Sequence, residues 1–481
     1  MKKLLNWKRC LVLLVLAAVL YLIIGMMAPF WHMKDVSEEY KKSFDVSQFY
    51  GEQESVDRAA VVESSMDALD ERIRLINRAS ERIIMSTFDM RPGESTRDVL
   101  CMLQEAADRG VRVQILVDGI SGLIRMEGNE LFYAVSAHPN IEIKIYNKPD
   151  FLRPWTIHGR MHDKYLIIDD KYFLLGGRNT FDYFLGDYIE DDKSLDREVL
   201  IYNTAGGTER SHESSLFQVE DYFNEIWNMD VCRDFHNDTS LLEKKGVQDE
   251  VDSLKARYAM IRSEKAELFE DDSHYDEITV PVNKVTLVSN PKGIYGKEPV
   301  VWYELEQLMK NADEKVVIHT PYAVMSDDMY EGLEEISGKE IECTMMINSV
   351  ENGDNFVASS DYLLHKDRII DTDVQLYEYD GGDSYHGKSI LIDDNISVIG
   401  SYNLDLRSTY VDTELMLVVD SKELNADLAA KMDGLQQKSR KVLDEKNYEV
   451  PEGLVVADVP FWKRIAWAVT GVVLQPFRVL V

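Results

Sequence analysis

Two stretches of the chain carry the same reactive side chains at the same offsets. The first runs His162, Lys164, Asp169 and Asn179, with Gly176 and Gly177 shortly before the asparagine. The second runs His386, Lys388, Asp393 and Asn403, with Gly400 and Ser401 in the matching places. An imidazole of ordinary pKa, about 6.5, serves near neutral pH as a neutral nucleophile or as a proton donor. A lysine two residues further along an extended strand points to the same side as the histidine, because side chains alternate. An asparagine beyond a turn of small residues brings an uncharged N–H donor to the same point. Single copies arise by chance in a chain rich in Lys and Asp; two copies with the same Gly-Gly/Ser-x-Asn trailer mark a duplicated unit.

Folded together, the two copies set one imidazole on either side of a tetrahedral anion. Lys164, Lys388, Asn179 and Asn403 surround its remaining oxygens. That arrangement suits in-line displacement at phosphorus. One histidine attacks to give a phosphohistidine, and the other protonates the leaving alcohol and then deprotonates the incoming water or alcohol. The cations and amides stabilise the oxygens, so the chemistry requires neither a metal nor a cofactor. Each histidine needs a carboxylate on its second ring nitrogen to set its tautomer. Glu198 and Glu414 are the expected partners, because each opens an apolar strand after its motif. Asp169 and Asp393 belong to the catalytic motif set. They lie five residues after the lysine, on the opposite side of a regular strand, and are expected to tie the strand and turn that carry the asparagine.

The elements that must position these residues repeat as well. Helical periodicity over 96–109, ended by Gly110, is followed by the apolar run 111–117, and 141–146 reads as another strand. Beyond residue 280 the order recurs, with a helix near 301–311 and strands at 315–319, 342–347 and 374–377. The pattern is that of β–α–β units in an internally duplicated α/β chain. The expected division is an anchor at 1–33, a stalk at 34–56, a first lobe at 57–236, an acidic linker or insertion at 237–280, a second lobe at 281–447 and an apolar tail at 448–481.

At 481 residues, 45% of them apolar, the chain has material for two compact lobes. Its net charge of −33 opposes nucleic-acid binding, which needs concentrated cations. The four cysteines show no metal-ligand spacing, and no metal site is suggested. Residues 10–28 are uncharged and follow Lys2, Lys3, Lys8 and Arg9. As a helix they cover about 28 Å, enough to span a bilayer, with the positive flank in the cytoplasm and the lobes on the outer face. No small-x-small cleavage site follows, so an uncleaved anchor is expected rather than a signal peptide. Near the other end, Trp462, Lys463, Arg464 and Trp467 within an apolar stretch suit the membrane interface; a helix docked on the core is the competing reading.

Beyond the paired motifs, the chain reads Thr320-Pro321-Tyr322, Asn348-Ser349, Leu376-Tyr377-Glu378, the run from Gly400 through Asn403 to Arg407-Ser408, and Thr413-Glu414. In this it resembles the phospholipase D superfamily, and is most similar to the bacterial cardiolipin synthases, over about residues 81–420. The resemblance implies a sandwich of two similar α/β lobes, each a mixed β-sheet flanked by helices, with the active site at their interface. It implies His162 as nucleophile and His386 as acid and base. It also implies a bacterial cell-membrane enzyme that makes cardiolipin from two phospholipids. Water as acceptor would instead give a phospholipase D-type hydrolase releasing phosphatidic acid. A nuclease is opposed by the charge, and a non-catalytic scaffold by the intact motifs. Arg160 reads as a phosphate contact or a solvated side chain, His158 and His365 as structural histidines, and Tyr322 and Tyr362 as core first, with the lining of a lipid pocket as the alternative. Residues 350–355 are more polar than a lipid site suggests, and would alter which alcohol is accepted if they line the entrance.

Overall fold

In the computed structural model, which describes residues 2–191, 193–270 and 273–480, the apolar runs become the inner strands of two sheets. The first sheet uses β1 (Asp57–Val62), β2 (Arg82–Thr87), β3 (Arg112–Asp118), β4 (Ile141–Tyr146), β5 (Tyr165–Ile168), β6 (Tyr172–Gly176), β7 (Glu198–Asn203), β8 (Cys232–Asp234) and β9 (Val280–Pro281). The second uses β10 (Lys284–Ser289), β11 (Lys315–His319), β12 (Glu342–Asn348), β13 (Gln375–Tyr379), β14 (Ser389–Ile392), β15 (Ile396–Gly400), β16 (Leu415–Asp420), β17 (Ser439–Val442) and β18 (Tyr448–Glu449). The strand order is β9-β1-β7-β6-β5-β2-β3-β4-β8 in the first and β10-β16-β15-β14-β11-β12-β13-β17-β18 in the second. From β1 and from β10 onward the two orders coincide. So do the directions: three strands run parallel (β2-β3-β4 and β11-β12-β13) and the flanking pairs run antiparallel. The duplication of the motif is therefore a duplication of the whole lobe.

Each sheet is covered on both faces, which is why its central strands read as continuous apolar runs. In β3, Val113, Ile115 and Val117 face a cluster shared with the outer helices, and Leu116 faces the opposite way. The inner faces of the two sheets pack on each other. Leu391, Ile399 and Leu417 of the second lobe share one buried cluster with Ile167, Phe173 and Val199 of the first. The molecule is thus a mixed α/β structure of two sheets flanked by helices.

Three segments outside the two sheets take definite places on the lobes. Residues 34–56, read as a stalk, lie against the second lobe: Phe49 is fully buried in its core, and the Tyr40 hydroxyl donates to the Glu304 carboxylate. Residues 237–280, read as a linker or insertion, contain helix α2 (Lys245–Glu264), which packs on the outer helices of the first lobe. Its narrow apolar stripe, Val247, Leu254 and Ile261, is buried, and Arg97 pairs with Glu250 at 2.6 Å. The tail forms helix α4 (Phe461–Val473), which lies along helix α3 (Phe356–Ile370). Trp467 is buried there, and Gly471 approaches so closely that a Cβ would sit 2.6 Å from the Ser360 carbonyl. Arg478 and Gln475 then bind Asp361 at 3.1 Å. The outward side of α4, with Phe461, Trp462, Val469 and Val472, remains exposed, so the tail combines a docked face with an apolar outer one.

At the other end, helix α1 (Lys2–Met27) leads away from the lobes. Within residues 7–30 the most apolar 18-residue window has a mean hydropathy of 2.9 and is 6% buried, so the helix is long and apolar enough to cross a membrane.

Candidate active site

Each histidine stands just before the first strand of a hairpin, β5-β6 or β14-β15, and is gripped by the opposite lobe. Met161 bridges to Thr413, and the His162 amide donates to the Thr413 carbonyl at 3.3 Å. In the mirrored place Ser384 and Tyr385 pair with Ser194 and Leu195, and the His386 amide donates to the Leu195 carbonyl at 2.6 Å. The residue after each bridge partner is an acid. Glu414 Oε1 lies 2.8 Å from His162 Nδ1, and Asp196 Oδ2 lies 2.7 Å from His386 Nδ1. Each lobe therefore supplies the carboxylate that orients the other lobe's histidine. With Nδ1–H donating to the acid, Nε2 of each ring is left as the reactive nitrogen.

Glu414 holds the place the sequence gave it. Glu198 does not, and the correction has a clear cause. The acid follows Asn403 by eleven residues in the second lobe and Asn179 by seventeen in the first, so the carboxylate equivalent to Glu414 is Asp196. Glu198 opens β7 opposite Gly176, where Met416 stands opposite Gly400 in the second sheet. Its carboxylate is taken by buried arginines: Arg72 at 2.6 and 2.8 Å and Arg178 at 3.5 Å. Gly177 makes room for this arrangement, since a Cβ there would lie 2.4 Å from Asp196 Oδ1. The matching Ser401 instead donates to Glu414 at 2.5 Å, alongside Ser408 at 2.6 Å.

Both lysines are buried and turn back on their own histidine. Lys164 Nζ donates to the His162 carbonyl at 2.5 Å, and Lys388 Nζ donates to the His386 carbonyl and sits 2.7 Å from His386 Nδ1 and 3.2 Å from its Nε2. Burial is the main cause that lowers Lys164 to about 7, with Lys388 adding to it and Glu414 opposing. Lys388 is lowered as well, again chiefly by burial. The Asn179 side-chain oxygen accepts from the Asp89 amide at 3.1 Å, which leaves its NH₂ for a ligand. His162, His386, Asn179 and Asn403 together line one cavity of about 350 Å³, with Phe88, Arg160, Tyr322, Asn355, Arg407 and Leu480 also in its wall. Tyr322, read as core or as pocket lining, is a cavity residue. The polar segment 350–355 reaches the site, with Asn355 in the wall and Asp354 accepting from the Tyr322 hydroxyl at 2.9 Å. His158 sits behind Phe30 and is lowered to about 4 by burial and then by Arg407 and Arg160. Among the described residues, no group of three His, Cys, Asp or Glu side chains is placed to hold a metal ion.

Asp169 and Asp393, motif residues expected to tie the strand and turn, stand apart from the cavity. Both occupy the left-handed backbone region, with φ of 52° and 51°, at the turn of the motif hairpin. Asp169 accepts from the amides of Ser80, Glu81 and Arg82, fastening the hairpin to the start of β2. Asp393 accepts in the same way from Asp313, Glu314 and Lys315 ahead of β11. Their task is structural. Asp169→Ala is expected to lower unfolding stability by about 2 kcal/mol while leaving kcat of the folded protein within twofold. Chemical denaturation alongside an active-site-normalised assay checks both halves of that statement.

The two histidine–carboxylate pairs differ electrostatically. Burial, with Lys164 and Lys388 adding to it, drives His162 well below its ordinary value, and burial drives Glu414 well above its own. Both shifts favour the uncharged form of each partner. Asp196 is held below the usual carboxylate range: burial opposes this, but Lys388, His386 and Arg178 outweigh it. His386 is lowered by burial and Lys388, while Asp196 works to keep its proton. The shifts thus favour an uncharged His162, while at His386 the neighbouring carboxylate opposes the lowering.

Comparison with known proteins agrees with the geometry. The family described as "Cardiolipin synthase, PLD-like domain" matches residues 72–185 and 305–436, just over half of the chain. A Helicobacter pylori protein of uncharacterized function is 27% identical over 406 residues, covering 76% of each chain. Cardiolipin synthase C of Escherichia coli is 25% identical over 410 residues, covering 76% of this chain and 81% of the relative. The crystal structure of phosphatidylserine synthase from Haemophilus influenzae superposes with a TM-score of 0.61 at 14% identity, covering 88% of this chain and 95% of that one, and so shares the fold. The duplicated sheets, the paired histidines and the family match lead to one conclusion: the chain belongs to the phospholipase D superfamily, in the family of cardiolipin synthase-like, phospholipid-modifying enzymes.

Proposed function

We propose that the protein is a membrane-anchored phosphatidyltransferase that joins two phospholipids to make cardiolipin. The observation that carries this reading is the pair of cross-lobe histidine–carboxylate contacts on one cavity. His162 Nε2 attacks the phosphorus of a phosphatidylglycerol held by the Asn179 and Asn403 amides. The bond to the headgroup oxygen breaks, and His386 delivers its proton to that oxygen as glycerol leaves. His386 then takes the proton from the primary hydroxyl of a second phosphatidylglycerol. The resulting oxygen attacks phosphorus, the N–P bond to His162 breaks, and the enzyme returns to its starting state. The neutral His162–Glu414 pair supports His162 as the nucleophile, and the anionic Asp196 supports His386 as the acid.

Two features favour a lipid alcohol over water as acceptor. Helix α1 holds the protein where lipids are concentrated, and the exposed apolar face of α4 suits the membrane interface. The test is a mixed-micelle reaction with labelled phosphatidylglycerol and EDTA, resolved by mass spectrometry. Cardiolipin and free glycerol in equal amounts are expected. Phosphatidic acid as the main product would make the enzyme a hydrolase, and loss of all turnover in EDTA would contradict a metal-free reaction.

The pH profile follows from the same shifts. The productive form has His162 neutral and His386 protonated. His162 is already neutral below pH 6.5, and the lowered pKa of His386 means its proton is lost as pH rises toward neutrality. kcat/KM should therefore fall between pH 6.5 and 8.5, approaching roughly tenfold per unit. A profile that rises across this window would reverse the assignment of protonation states.

A further inference from the structure

We propose that the loop formed by residues 149–156 is a second membrane contact, embedded beside helix α1 at the boundary between headgroups and acyl chains. The inference rests on the reading of α1 as a helix that crosses the bilayer. The loop presents Phe151 and Leu152 almost bare, 65% and 81% exposed, with Trp155 partly exposed next to them. Among the described residues, these side chains belong to none of the buried apolar clusters. The loop's own charges are neutralised within it, since Arg153 Nε binds Asp150 Oδ2 at 2.8 Å.

What identifies the partner is the helix to which the loop is fastened. The Tyr21 hydroxyl donates to the Leu152 carbonyl at 2.6 Å. One turn later Gly25 lies against Pro154 so closely that a Cβ on it would fall 2.2 Å from Pro154 Cγ. Helix and loop are therefore in register, with Leu152 level with Tyr21. Tyr21 stands seven residues before Ala28, the end of the uncharged run. That separation is about 10 Å along the helix axis. If the uncharged run is in the bilayer, Phe151 and Leu152 lie below its surface, at a depth where amphipathic segments bury about 5–10 Å.

The arrangement has a consequence for the site. A single spanning helix leaves a domain free to tilt and turn about its attachment, whereas a helix with a fastened wedge fixes one orientation. The chain runs from this loop directly to Arg160 and His162 in the cavity wall. Phe30, just past the end of α1, packs in a cluster that includes Tyr322 and Leu480, which line the same cavity. The wedge thus sets the height and direction of the cavity relative to the lipid headgroups.

The test uses the full chain in vesicles of phosphatidylcholine and phosphatidylglycerol in a 3:1 ratio (about 75% and 25%), with a Cys10→Ser background; the other three cysteines are buried. Leu152→Cys and, separately, Leu16→Cys are labelled with an environment-sensitive fluorophore, and quenching by lipids carrying a nitroxide at a shallow or a deep acyl position is measured. The proposal expects the Leu152 probe to be blue-shifted and quenched more by the shallow nitroxide, and the Leu16 probe more by the deep one. Quenching at Leu16 with a water-like, unquenched probe at Leu152 overturns the wedge and leaves the anchor standing. No quenching at either position overturns the anchor reading and the wedge with it.

Discussion

Replacing either histidine should abolish turnover of phosphatidylglycerol, but the two variants should part company on an activated substrate. His162→Ala removes the nucleophile, and kcat is expected to fall by roughly 10⁴ to 10⁶. His386→Ala removes the proton donor, a loss on the order of 10² to 10⁴ in the first step and a further loss when the acceptor must be deprotonated. Phosphatidyl-4-nitrophenol leaves without needing a proton. With it, His386→Ala should release about one equivalent of nitrophenolate in a burst and then stall. His162→Ala should show no burst. The opposite pattern would exchange the roles of the two rings, and equal bursts from both variants would contradict a covalent route through either one. The expectation rests on the separate environments of the two rings: a neutral Glu414 beside His162, and an anionic Asp196 beside His386.

The second large effect separates two acids only two residues apart. Asp196→Asn keeps the shape at His386 Nδ1 but presents an amide that stabilises the wrong tautomer. kcat should fall on the order of 10³ to 10⁴, as for the comparable change in a Ser-His-Asp triad, with the fold intact. Glu198→Gln should do the reverse. Arg72 and Arg178 are both buried and depend on that carboxylate for compensation, so its removal leaves buried charge uncovered. A loss of about 3–5 kcal/mol in stability is expected, with near-normal kcat in the fraction that remains folded. Thermal unfolding and kinetics per active site, measured on both variants, distinguish the two outcomes. A catalytic defect in Glu198→Gln without loss of stability would restore Glu198 to the site and remove Asp196 from it.

The reason Glu198 was the natural reading from sequence shows where sequence stops. His, Lys and Asn sit at fixed offsets within one hairpin, so local spacing reveals them. The orienting acid is fixed by pairing between lobes, through Met161 with Thr413 and through Tyr385 with Leu195. No local pattern in either half encodes that register. Asp196 holds the register of Glu414, but Arg197 separates it from the apolar run, which therefore reads as opening at Glu198. Asp169 presents the same limit in another form. Its offset from Lys164 is visible, but the three amides it accepts belong to a different strand start, 87–89 residues earlier in the chain.

The inner strands were legible because burial on both faces gives them unbroken apolar runs; 141–146 and 315–319 coincide with β4 and β11. The packing of the two segments read as a stalk and as a linker or insertion was hidden for a common reason. In α2 the buried residues Val247, Leu254 and Ile261 are seven apart, a stripe so narrow that the charged residues around it dominate the composition. Phe49 buries one large side chain from an otherwise polar stretch. The tail was ambiguous because α4 is apolar on two sides, and amphipathic pattern alone does not say which side meets protein and which meets lipid.

The central claim is that the two motifs form one site in which His162 carries the phosphatidyl group. Peptide mass spectrometry after rapid quench tests it most directly, using the His386→Ala protein with phosphatidyl-4-nitrophenol so that the intermediate persists. The account predicts a phosphatidyl adduct on the peptide containing His162, at about one per chain. An adduct on another residue, or nitrophenolate release matched by no adduct, would contradict it.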